Sequence, residues 1–165
     1  MNIVMDEFEM QLEKAVARGQ RERKLKTTRA ADEALTEEEL RRLHNEYRLE
    51  LSEYIEQCVS RLPKYLPGFV CQAVVDERGW GSTCSRDDAG LGSDNIRTNF
   101  FSRLEIVVRP FGTHHVLDMA AKGTVRNKEV YNRHHYRPLS EVDLADFKSF
   151  VDLWIPQYAE KFAAS

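Results

Sequence analysis

No run in this chain approaches the roughly 18 consecutive apolar residues that a membrane-spanning helix needs. Its start, with Met5-Asp6-Glu7, has no basic segment leading into an apolar one. No membrane partner is therefore expected, and a cytoplasmic location is the default. Cysteine is scarce: Cys58, Cys71 and Cys84 are an odd set with no Cys-x-x-Cys spacing. This argues against a disulfide framework and against a cysteine-rich zinc site, and leaves buried thiols as the expectation. An excess of positive charge is also missing. The formal net charge is −3, which disfavours a nucleic-acid partner while allowing basic residues to gather locally. There is no Gly-x-Ser-x-Gly, no His-Glu-x-x-His and no Walker motif, so no catalytic residue and no cofactor is assigned. The two Gly-x-Gly-Ser segments, Gly79 to Ser82 and Gly90 to Ser93, lack the third glycine of a phosphate loop, with Cys84 and Asn95 in its place.

What is present is period. From Phe100 to Arg109 the even positions Phe100, Leu104, Ile106 and Val108 are apolar, while Arg103, Glu105 and Arg109 are charged. Successive strand side chains point to opposite faces, so one face belongs to a core. Pro110-Phe111-Gly112 supplies a stop. From His115 to Val125 the odd positions Leu117, Met119, Ala121 and Val125 are apolar, with Asp118, Lys122 and Thr124 between them, and Val130 to Arg137 returns as a partner strand. A turn on Asn127-Lys128 would set Val125 opposite Val130 and Met119 opposite Tyr136, with Val130, Asn132, His134 and Tyr136 on one face. Phe69 to Val75 reads as an earlier strand. The stretch from Gly79 to Asn95 is the least regular, with at most a short strand around Trp80 to Cys84.

Helical spacing brackets these strands. Met5, Phe8, Leu12 and Ala15 or Val16 form one stripe in Ile3 to Arg18. A basic block, Arg18 to Arg29, and an acidic one, Asp32 to Glu39, follow as either solvated helix or linker. Thr36 and Glu39 have the spacing of a capping box, and Leu40, Leu43, Tyr47, Leu51, Tyr54, Cys58 and Leu62 then repeat every three or four residues. After the strands, Ser140 starts a last helix with Asp143 placed for a capping box, Leu144, Phe147, Val151, Trp154, Tyr158 and Phe162 on one side and Pro156 inside, so a kink or break is expected near Asp152 to Ile155. The fold class is α+β. It comprises an antiparallel four-stranded meander sheet, preceded by two N-terminal helices and covered on one face by a C-terminal helix. Residues 1–35 are expected to be a helical arm and residues 36–165 the α+β domain.

Three functional readings follow. The first is a non-catalytic binding or assembly module, protein- or peptide-binding and self-associating through its amphipathic helices, because a charged arm with one apolar stripe has to bury that stripe. In architecture alone the arrangement resembles the small acidic dimeric α+β chaperones of type III secretion, although no motif is shared and the element order differs. The second is a nucleic-acid or anionic-ligand binder. Its contacts would be Arg103, Arg126, Tyr131, Arg133 and Arg137 on an outward sheet face that also carries Phe101 and His135. The third is a metal-dependent enzyme whose ligands would start from His115 and His134 in the hairpin.

Overall fold

The computed structural model describes residues 3–91 and 94–165, with side chains described over 7–27, 37–91 and 94–165. The chain divides into two compact units, Met1–Glu39 and Leu40–Ser165. Helix α1, Ile3–Val59, runs through both, so the two expected helices are one and the charged blocks are helical backbone. No break occurs at Thr36, whose side chain lies outside the described residues.

In the second unit the element order after α1 is α2 (Leu62–Tyr65), β1 (Val70–Asp76), β2 (Gly79–Leu91), β3 (Arg97–Val108), β4 (Val116–Val125), β5 (Lys128–Pro138) and α3 (Leu144–Ala163). The strands form one antiparallel meander in the order β1-β2-β3-β4-β5. The sheet therefore has five strands, not four, and the additional one is β2, which occupies most of the stretch expected to be irregular. Its sequence is poor in β-formers, but it is paired on both sides, to β1 and to β3. Glycine is needed there: a Cβ on Gly81 would lie 2.0 Å from the Ile106 carbonyl oxygen, so only a bare backbone lets β3 approach this closely.

One face of the sheet carries the core. Leu104, Ile106 and Val108 of β3, with Leu117, Met119 and Ala121 of β4, pack under Leu51, Ile55 and Val59 of α1 and Phe147, Val151, Trp154 and Tyr158 of α3. The even face of β3 thus meets the terminal helix as its alternation requires, and the α1 stripe from Leu40 to Cys58 packs on the same cluster. Each fully buried large side chain contributes on the order of 1.5–3 kcal/mol. The last helix does not start at Ser140, which lies in a short 3-10 turn, Leu139–Glu141; Asp143 is itself the cap of α3, its carboxylate accepting from the Ala145 backbone N–H at 3.1 Å. The helix does not break at Pro156.

The β4–β5 register differs from the expected one by enough to exchange faces. The turn residues are Arg126 and Asn127, with φ of 48° and 72°, the left-handed pair of a type I′ hairpin. Val125 therefore pairs with Lys128, and after an irregularity at Gly123/Thr124, Met119 pairs with His135 and Gly123 with Tyr131. The turn is held from outside the hairpin. Asn127 Oδ1 accepts from the Phe101 N–H at 2.8 Å, the Asn127 N–H donates to the Phe101 carbonyl at 2.8 Å, and the Arg126 N–H donates to Ser102 Oγ at 3.0 Å. Tyr131 and His135 consequently face the helices, and Asn132, His134 and Tyr136 face away.

Candidate functional site

The arm leaves apolar side chains uncovered. Of the described residues between Glu7 and Thr27 all but Ala17 are exposed, and Phe8, Leu12 and Val16 are 62%, 54% and 54% exposed. Steps of four residues put these three on one side of the helix. Glu7, Glu9 and Glu13 precede Arg18, Arg21 and Arg23, so charge changes sign along the arm.

The uncovered face of the sheet has a small apolar floor of Val74, Val107 and Ala120. Charges lie across it in two chains. Arg78 bridges Asp76 at 2.9 Å and Glu105 at 2.8 Å, and Glu105 also takes Arg103 at 2.7 Å. The Arg78 hydrogen bonds hold the Asp76 carboxyl below its ordinary range. Further along, Asp118 lies 3.9 Å from Arg109 and 3.3 Å from His134. Arg78, Arg103 and Arg109 on this face thus each lie beside a carboxylate, as in cross-strand pairs on a solvated sheet.

The five residues expected to form a ligand-binding set fall on different faces. Arg103 is on the uncovered face, engaged with Glu105. Tyr131 is 2% exposed on the helix side, and its hydroxyl donates to Gln157 of α3. Arg133 lies over the Tyr131 ring at 4.7 Å, and Arg126 lies over Phe100 at 4.3 Å. Arg137 shares the helix-side register, and its guanidinium donates to the Tyr136 carbonyl. His135 and Phe101, expected beside them, also separate: His135 is buried between Phe147 and Phe150, with Nε2 2.9 Å from Asp146, whereas Phe101 stays partly exposed.

Three of the five do converge near the end of α3. A cleft of about 420 Å³ is lined by Tyr131, Arg133, Gln157, Glu160 and Lys161, and a second, of about 340 Å³, by Phe100, Arg126, Lys128 and Lys161. Lys161 belongs to both. Sequence reasoning missed Lys161, because its relation to Arg126 and Arg133 depends on how α3 crosses the sheet. It also missed an apolar groove of about 320 Å³ between α1 and α3, lined by Cys58, Leu62, Tyr65, Val151, Ile155 and Pro156. At that groove the Tyr54 hydroxyl donates to Asp152 at 2.5 Å. Burial pushes the Cys58 thiol up, so it is poorly suited to act as a nucleophile.

The two histidines singled out for metal binding have different partners. His134 meets Asp118 on the uncovered face, while the His115 ring packs against Phe111, which also takes the edge of His44. Among the described residues no group of three or more His, Cys, Asp or Glu side chains is arranged to hold a metal ion. Nor is any helix among them long and apolar enough to cross a membrane. Compared with protein-family models, curated proteins and solved structures, the chain matches none.

Proposed function

We propose that the chain is a non-catalytic assembly module whose N-terminal arm pairs with the arm of a second copy. The observation that carries this reading is the uncovered stripe Phe8-Leu12-Val16 on a helix with charge of both signs. An exposed single helix is only marginally stable in water, and covering an apolar stripe is the usual remedy. Charge selects the direction. Side by side in the same direction, two arms would run the basic turns Arg18 to Arg29 against themselves. Antiparallel and centred near Leu12, they set Phe8 against Val16 of the other copy, Leu12 against Leu12, and Glu7 alongside Arg18. Each stripe residue is already half covered, so pairing yields about 1 kcal/mol apiece and about 6 kcal/mol per dimer. That is comparable with the cost of association itself, so the dimer is weak and depends on concentration.

Charge exchange tests the direction. Glu7→Arg or Arg18→Glu alone should weaken the dimer by about 2- to 30-fold, from two surface ion pairs at roughly 0.2–1 kcal/mol each. An equimolar mixture of the two variants should restore it, because each mixed dimer regains both pairs. Equal weakness of the mixture would reject the antiparallel arrangement.

A second reading is supported by the convergence of Arg126, Lys128, Arg133 and Lys161 beside Tyr131. The two adjoining clefts, joined at Lys161, set these four cations against the single acidic side chain of Glu160, a balance that suits phosphate groups of a nucleic acid or a small anionic ligand. Binding of a fluorescent oligothymidylate that falls steeply with added salt would support it. Absence of binding at low salt would remove the nucleic-acid version.

A further inference from the structure

We infer that Cys71 and Cys84 form an oxidisable pair that closes a disulfide by exchange with a small-molecule disulfide of the glutathione class. The two residues are direct partners in the β1–β2 register. Directly opposed residues of an antiparallel pair have Cα separations of about 4.5–5.5 Å, inside the range a disulfide spans. Their sulfurs are 2.6 Å apart, so bond formation asks for a closure of only about half an ångström, to the roughly 2.05 Å of an S–S bond. The third cysteine, Cys58, stands apart in the groove lined by Leu62 and Pro156.

The two sulfurs differ in access, and this orders the steps. Cys71 lies on the edge strand and is only half-buried, whereas Cys84 is completely buried. The Cys71 thiol gives up its proton and attacks one sulfur of oxidised glutathione, forming a mixed disulfide and expelling one glutathione thiolate, which takes up the proton. Cys84 then gives up its proton, attacks the Cys71 sulfur and expels the second glutathione as its thiol. In sum, two protein S–H bonds are lost, one S–S bond forms, and one oxidised glutathione becomes two reduced ones. Burial and the neighbouring thiol hold Cys84 well above the ordinary thiol range, so the second step is slow at neutral pH and accelerates as pH rises. Oxidation also has a structural consequence. The reduced Cys71 thiol donates to the Val59 carbonyl at the end of α1, at 3.5 Å, and the oxidised one cannot. The edge strand is then stapled to β2 and loses one tie to the helix.

The test is incubation of the folded full chain with excess oxidised glutathione, followed by acid quench, alkylation and peptide mapping by mass spectrometry. The expected product has only Cys58 alkylated, a Cys71–Cys84 linkage and no retained glutathione. Cys84→Ser should instead trap glutathione on Cys71, and Cys58→Ser should leave the outcome unchanged. Retention of all three alkylatable thiols, a stable glutathione adduct on the unsubstituted chain, or a linkage through Cys58 would each overturn the inference. The linkage is read on the unsubstituted protein, so it is decisive even if Cys84→Ser does not fold.

Discussion

Gly123→Ala should destabilise the protein, and the expected size follows from what surrounds Gly123. A Cβ built there would lie 2.7 Å from Tyr158 Cδ2 and 2.9 Å from Tyr131 Cβ. Neither can retreat freely. Tyr158 is fully buried, its hydroxyl donates to the Thr124 carbonyl at 2.7 Å, and its ring meets the edge of Phe69; Tyr131 is fixed by its own strand. Overpacking of this kind costs about 1–3 kcal/mol, while the loss of backbone freedom in the unfolded chain returns about 0.4–1 kcal/mol. The net expectation is a loss of roughly 0.5–2 kcal/mol, a fall in Tm of about 1–8 °C for a chain of this size. Gly112→Ala is the control. Nothing lies within 4 Å of its Cβ position, so it should be neutral or slightly stabilising. Urea unfolding followed by the fluorescence of buried Trp154 reads both. In a Tyr158→Ala background the Gly123→Ala penalty should shrink, since the clashing ring is gone and only the Tyr131 Cβ contact remains. A Gly123→Ala variant as stable as the parent would refute the β4–β5 register that sets Tyr131 beside Gly123 and sends Tyr131 and Arg133 to the helix side.

Other expectations concern pH and salt. Burial holds the Tyr158 and Tyr131 phenols above their ordinary range, and a hydrogen bond to Asp152 does the same for Tyr54. A raised folded-state pKa means stability that is complete below about pH 10 and lost as pH rises beyond it, so chemical-unfolding midpoints should fall on the alkaline side and fall less in Tyr158→Phe. His44 behaves in the opposite sense. Burial lowers it, with a smaller push from Arg48, while its bond to the Arg109 carbonyl at 3.2 Å works against the shift. Its contribution is present above the ordinary value of 6.5 and is lost as pH falls through the acid range. His44→Gln should flatten that acid limb in urea titrations between about pH 7.5 and pH 5. If the cleft near Lys161 binds anions, Lys161→Glu with Arg133→Glu should abolish salt-sensitive binding, whereas Arg103→Glu on the uncovered face should leave it intact.

How far the sequence could be read depended on where each element's determinants lie. The stripes of α1 and α3 and the alternation of β3 are local signals, written in side-chain spacing, and the structure keeps them; the helix start expected at Ser140 falls instead at Asp143, which is itself the cap. Strand β2 has no such signal. Its glycines and polar residues look like a loop because the need for them comes from β3, whose backbone passes too close to Gly81 for a side chain. The register of β5 failed for a related reason. Both of its faces carry a tyrosine and a histidine, so alternation alone does not choose between them, and the choice falls to Asn127 and Arg126, tied to β3. A single-residue slip then moved Tyr131 and Arg133 away from Arg103. The cleft they help to form with Lys161 was out of reach until α3 had been laid across the sheet.

The most direct test of self-association through the arm is light scattering coupled to gel filtration, over a range of loading concentrations, on the full chain and on Leu12→Asp. Leu12 is more than half exposed, so the substitution leaves the second unit's core untouched and acts on the stripe alone. A mass that rises toward the dimer with concentration in the parent and stays monomeric in Leu12→Asp is the predicted result. A parent that remains monomeric at the highest concentration, or a dimer that Leu12→Asp leaves unchanged, would contradict it.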